Sequence, residues 1–147
     1  ENEIYQVENA VPIGNVLQSA TQLNDKLYLV VNNSQEVIVA DSRSLKHVKT
    51  IAGFQSPRYM HAVSGEKAYV TDWVSNSIQI IDLRKNTITG SISTGNGPEN
   101  MVQVGTKLFV TNILVAHNQT TRKPARENLA QILLRRVTVI CLLKNRG

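Results

Sequence analysis

Shifted by 41 residues, much of this sequence falls back on itself, and that recurrence limits the fold more than any other feature. Lys26 falls on Lys67, Tyr28 on Tyr69, Ser34 on Ser75 and Asp41 on Asp82. Further along, Ile51 falls on Ile92, Pro57 on Pro98 and Met60 on Met101. A third copy opens with VGTKLFVTN, Val104 to Asn112, which matches VSGEKAYVTD from Val63 once one turn residue is dropped. Seven identities in one register are hard to obtain by chance, so the chain reads as a tandem array.

Each unit reads as four short strands. In the clearest copy these are Arg58–Val63, Lys67–Thr71, Ser77–Asp82 and Thr87–Ser93. Tyr, Val, Ile and Thr fill the strands, while Gly, Asn, Asp, Ser and Pro fill the joins. Four strands in roughly 40–45 residues is the period of a propeller blade. LYLVV and IQII are apolar on both faces. A sheet stacked between two neighbours needs that pattern, because water reaches neither side. The expected fold is therefore all-β, a fragment of about two and a half four-stranded antiparallel blades spanning residues 1–112.

KAYVTDWVSNSIQIIDL and KLFVTN resemble the YVTN motif of YncE-like, surface-layer-type seven-bladed β-propellers. SPRYMHAVSGEKAYVTDWVSNSIQIID resembles their secreted bacterial members in particular. The resemblance covers about Asn15 to Asn112. It implies an exported protein, periplasmic or at the cell surface, with a lipid anchor on the precursor compatible with that placement. It also implies capture of a small molecule or protein partner, as some surface relatives capture cobalamin-like nutrients.

The pattern stops near Asn112. Residues 113–147 carry seven basic residues (Arg122, Lys123, Arg126, Arg135, Arg136, Lys144 and Arg146) against one acid, Glu127, a charge of +6. The preceding 112 residues hold nine basic against ten acidic, or −1, which together give the net +5. ARENLAQILLRRVTVICLLKNRG allows an amphipathic helix from Ala125 to about Arg136, or a strand at RVTVICLL. This atypical basic tail is open to three readings: a true appendage, a frameshifted replacement of the later blades, or a cap. A blade face presents about 300 Å² of mostly apolar surface, from four strands roughly 4.8 Å apart and 17 Å long. Leaving one open forfeits up to about 8 kcal/mol, comparable with the stability of a whole domain. Two and a half blades have two such faces, so the chain is expected to self-associate, to cover a face with its own LAQILL, or to be marginal.

In an antiparallel blade the 4–1 and 2–3 joins share one end. That end holds SPRYM, DWVSN, GNGPENM and NNS, whereas the other holds plain turn residues. Arg58, Tyr59, Asp72, Trp73, Glu99 and Asn100 are thus expected at one rim, near the axis, as a ligand surface. Structural roles compete with that reading. Trp73 and Tyr59 are also suited to packing on the next blade, and Arg58 to an inter-blade ion pair with Asp72 or Glu99. Asp41 and Asp82 fit Asx turns, Pro57 and Pro98 shape joins, and Tyr28, Tyr69, Met60 and Met101 read as core.

Catalysis finds little support. His47, His61 and His117 occupy non-equivalent repeat positions, and no metalloprotease helix motif, nucleophile elbow or phosphate loop occurs. No cofactor or metal is expected, and the lone Cys141 has no His nearby in sequence. NNS at Asn32 and NQT at Asn118 match a common glycosylation pattern. No apolar run reaches the ~18 residues of a membrane span. A lyase- or lactonase-like propeller enzyme with an incomplete site remains the alternative, as does nucleic-acid or anion binding through the tail. The tail lacks the interleaved aromatics that stack bases, which disfavours nucleic acid.

Overall fold

The computed structural model describes residues 2–113 and 135–141. A short helix, α1 (Asn2–Asn9), precedes three antiparallel sheets. Blade 1 is β1 (Leu17–Leu23), β2 (Lys26–Val31), β3 (Glu36–Asp41) and β4 (His47–Ala52), in that order across the sheet. Blade 2 repeats it with β5 (Pro57–Ala62), β6 (Lys67–Asp72), β7 (Ser77–Asp82) and β8 (Thr87–Ser93). Blade 3 has β9 (Pro98–Val104), β10 (Lys107–Ile113) and β11 (Arg135–Cys141). The expected strands of the second unit are formed within one residue of their predicted ends.

The two-sided apolar pattern is explained by stacking. Along β2, Tyr28 and Val30 face blade 2, where they meet Phe54, Met60, Ala68, Val70, Ile81 and Leu83. Along β6, Tyr69 faces the other way and joins Ile78, Leu108 and Val110 between blades 2 and 3. β1 lies against β5 and β5 against β9, so the first strand of each blade is the inner one and the outer strands fan apart. The mostly exposed β4 fits its place at the outer edge.

The repeat recurs in backbone hydrogen bonds. The N–H groups of Asn32, Trp73 and Ile113 donate to the carbonyls of Val16, Ser56 and Gly97, each tying a 2–3 join to the start of the same blade's inner strand. At the opposite end, Asp41 accepts from the N–H groups of Arg43 and Ser44, and Asp82 from those of Arg84 and Lys85. These are the expected Asx turns. The bonds, led by those from Ser44 and Lys85, hold both carboxyls below their ordinary value of 3.8.

One feature departs from the expectation, and one settles between its alternatives. First, α1 covers the face of blade 1 that points away from blade 2. Tyr5 and Ile13 are each 3 % exposed and pack on Leu29, Val31, Ile38 and Ala40. Asn9 pins the helix by donating to the carbonyls of Tyr5 and Leu45 while accepting from the N–H of His47. A helix is narrower than a blade, and an apolar cavity of about 250 Å³ remains between α1 and blade 1, lined by Ile4, Tyr5, Ile13, Leu17, Leu27 and Leu29. Second, the tail contributes a strand: β11 pairs antiparallel with β10 from Lys107↔Cys141 to Ile113↔Arg135. It therefore takes the third-strand position of blade 3. Of the helix considered for Ala125 to Arg136, Arg135 and Arg136 lie in this strand, and the rest falls outside the described residues, as do LAQILL, His117 and Asn118.

Candidate functional site at the propeller rim

Gln18, Arg58 and Glu99 stand at equivalent positions near the starts of the three inner strands, 40 and 41 residues apart. Because those strands converge on the axis, the three side chains form a row across neighbouring blades. Arg58 donates from Nη1 to Gln18 Oε1 at 3.0 Å and from Nε to Glu99 Oε2 at 3.3 Å. The Arg58–Glu99 pair is the inter-blade ion pair weighed from the sequence, and its side chains are 24 % and 21 % exposed. Partial burial weakens solvent screening, so this pair is stronger than an ordinary surface contact.

Trp73 lies under the guanidinium, with Arg58 Cζ 5.7 Å from the indole centroid. Its other neighbour is the backbone of Gly97 in the next blade's entry turn. Gly97 has φ +57°, and a Cβ there would lie 2.5 Å from Trp73 Nε1. The ring thus packs on the adjacent blade while one face supports Arg58. Among the described residues, Trp73 Nε1 is buried without a hydrogen-bond acceptor.

The other residues expected at the rim are placed differently. Asp72 is fully buried; its two carboxylate oxygens accept the N–H groups of Gln55 and Ser56, both at 2.8 Å. It closes the joint between blades 1 and 2 and does not face solvent. Tyr59 is half-buried, and its backbone N–H donates to the Thr71 hydroxyl at 3.0 Å. That hydroxyl also donates to the Glu99 carbonyl at 2.7 Å, stitching blade 2 to blade 3. Asn100 is exposed, on the opposite side of β9 from Glu99, and its Oδ1 accepts the N–H of Met101 at 2.7 Å. Arg58, Trp73 and Glu99 are therefore brought together, while Asp72, Tyr59 and Asn100 stand outside the cluster. Gln18 was missed because LQSATQL lacks the Pro that opens the other inner strands, although its spacing of 40 from Arg58 was there to be read.

Further along the inner strands, His61 Nε2 lies 3.1 Å from Gln103 Oε1. Among the described residues, no group of three or more His, Cys, Asp or Glu is placed to hold a metal ion. Chemically, the rim offers a cation, a carboxylate, an amide and an indole platform. Groups of this chemistry are able to form hydrogen bonds and charge pairs with a polar ligand.

Sheets of this order, with converging inner strands, define a β-propeller. The chain belongs to the family described as a domain of unknown function (DUF5074), whose model matches residues 1–133. It is 42 % identical over 52 residues to a PE-PGRS family protein of Mycobacterium tuberculosis, a stretch covering 35 % of this chain and 11 % of that protein. Among solved structures, it resembles Kuenenia stuttgartiensis hydrazine synthase with a TM-score of 0.57 and 25 % identity, over 63 % of this chain and 28 % of the other. It also matches the WD40 β-propeller domain of Doa1 with a TM-score of 0.57 and 10 % identity, over 65 % and 33 % of the respective chains. The second likeness is one of fold alone. The chain thus spans about a ninth of the curated relative and about a third or less of these two structures.

Proposed function

We propose that this chain is part of an exported, non-catalytic β-propeller of the YVTN-repeat type that captures a small molecule or protein partner at its axial rim. The observation that carries the reading is the row Gln18–Arg58–Glu99, one polar side chain from each blade, with Trp73 supporting the cation. Building such a row needs three successive blades in register, and it concentrates recognition chemistry where propeller axes open to solvent. Export rests on the resemblance of SPRYMHAVSGEKAYVTDWVSNSIQIID to secreted members of that type. Among the described residues, nothing in the rim pairs a nucleophile with a base, which favours binding over turnover.

Trp73 is the single tryptophan of the chain, so its fluorescence reports on the rim. In a screen of small polar metabolites, a true ligand shifts that emission and raises the melting temperature. Arg58→Ala weakens the same ligand about 10- to 100-fold, the loss expected for one charge-assisted hydrogen bond. If Arg58→Ala and Trp73→Phe remain folded and bind the ligand as tightly as the parent chain, the rim is not the binding surface.

A further inference from the structure

Asn96 stands directly before Gly97, and nowhere else in the chain does Asn precede Gly. That dipeptide carries its own chemistry. The backbone nitrogen of the second residue attacks the carboxamide carbon of the first, and closing a small ring within one chain gives the attack a high effective concentration. A side chain on the second residue would crowd the approach, and glycine has none. The structure leaves this carboxamide at liberty. Asn96 is exposed in the join between β8 and β9, and its side chain makes no hydrogen bond among the described residues. Neighbouring asparagines are occupied: Asn32 donates to the Ser56 hydroxyl and the Pro57 carbonyl, and Asn100 Oδ1 accepts the N–H of Met101. Asn76, from the β6–β7 join, is occupied by Gly97 itself, whose N–H donates to Asn76 Oδ1 at 2.9 Å. Ring closure requires the Gly97 nitrogen to give up its proton, and Asn76 holds that proton.

We propose that Asn96 is a deamidation site at the edge of the rim, throttled by the Asn76 carboxamide. The step needs no reagent beyond water. The Gly97 nitrogen loses its proton to solvent base and bonds to Asn96 Cγ. The Cγ–Nδ2 bond breaks, and ammonia leaves with a proton from solvent. Water then opens the succinimide at either carbonyl and leaves aspartate or isoaspartate at position 96. Both products place a new carboxylate in the join that leads to Glu99. The rim, where Arg58 and Glu99 now balance, turns negative. Isoaspartate also routes the main chain through the side chain and so lengthens the turn by one carbon. In that turn Gly97 packs on Trp73 and accepts the N–H of Ile113, and a longer path disturbs both contacts. The inference requires no ligand at the rim.

Timed incubation of the full chain in warm, mildly alkaline buffer, followed by peptide mass mapping and isoaspartate detection, tests the proposal. The peptide holding Asn96 is expected to gain the mass difference between OH and NH2, ahead of every other Asn peptide. Trp73 emission moves to longer wavelength in step with that gain. Asn76→Gly tolerates the left-handed backbone at this position (φ 52°) and removes the acceptor. Deamidation there speeds up roughly 2- to 10-fold, the factor that one hydrogen bond is worth. Asn76→Asp keeps an acceptor oxygen and ages no faster than the parent. Asn96→Gln, which would have to close a larger ring, shows neither mass gain nor spectral drift. Far-ultraviolet circular dichroism confirms that each variant is folded. A folded parent that keeps the mass of its Asn96 peptide while the urea-unfolded chain converts overturns the proposal, as does faster gain at another Asn. A folded Asn76→Gly variant that ages at the parental rate overturns the part assigned to Asn76.

Discussion

Gly97 shows how one residue sets the rim. Its N–H donates to Asn76 Oδ1, its carbonyl accepts from Ile113, and its missing side chain makes room for the Trp73 indole. Gly97→Ala imposes a left-handed φ on an L side chain and drives a methyl into the ring. The expected cost is about 1–3 kcal/mol in urea unfolding, with Trp73 emission moved to longer wavelength as the indole is pushed toward water. A variant of parental stability and emission would show that the packing is slack. Asp41 and Asp82 give a second test. Both folded-state pKa values lie below the ordinary one, so the folded protein binds protons less readily than the unfolded chain. Their contribution is fully present above the unfolded pKa and is lost as pH falls through the depressed folded values. Stability should therefore fall as pH drops below about 4, and the double variant Asp41→Asn, Asp82→Asn should fall less steeply. Equal slopes for the two proteins would remove these turns from the pH response. Asp72 teaches the limit of reading single residues. An acid beside a loop Trp looks like rim chemistry in sequence, yet its oxygens are both taken by the N–H groups of Gln55 and Ser56 from the preceding join.

Among the elements, the strands were the most legible. Their signals are local: β-branched and aromatic runs bounded by turn residues, repeated at one period. α1 was not legible, because NEIYQVEN shows no long apolar stripe and its partner surface, Leu29, Val31, Ile38 and Ala40, lies one blade away. The helix matters because it covers a sheet face that would otherwise be wet. Tyr5→Ala removes the buried anchor, enlarges the adjoining cavity and should cost about 2–4 kcal/mol. The measurement is the urea midpoint, together with faster amide exchange in β2 and β3. Loss below about 0.5 kcal/mol would mean that α1 rests on the blade without stabilising it. The strand β11 was one of two alternatives for RVTVICLL, and pairing with β10 selected it by supplying the hydrogen bonds an edge strand lacks.

At the scale of the whole molecule, the chain is a one-dimensional stack. Each blade contacts its neighbours through two apolar faces, and stability is approximately a sum over blades and seams. The placement of charge also belongs here. The whole basic excess lies beyond Asn112, so the first 112 residues are nearly neutral, with Arg58 balanced by Glu99 inside the rim. The sequence by itself determined the repeat, the four-strand unit and the end of the blades at which the chemistry gathers, because these depend on periodicity and turn residues within one unit. Only the tertiary structure decided that Gln18 joins Arg58 and Glu99, that Asp72 closes a joint and that α1 covers the first blade. Those outcomes depend on residues about 40 apart or on different blades, and the packing between blades brings them within hydrogen-bonding or van der Waals reach.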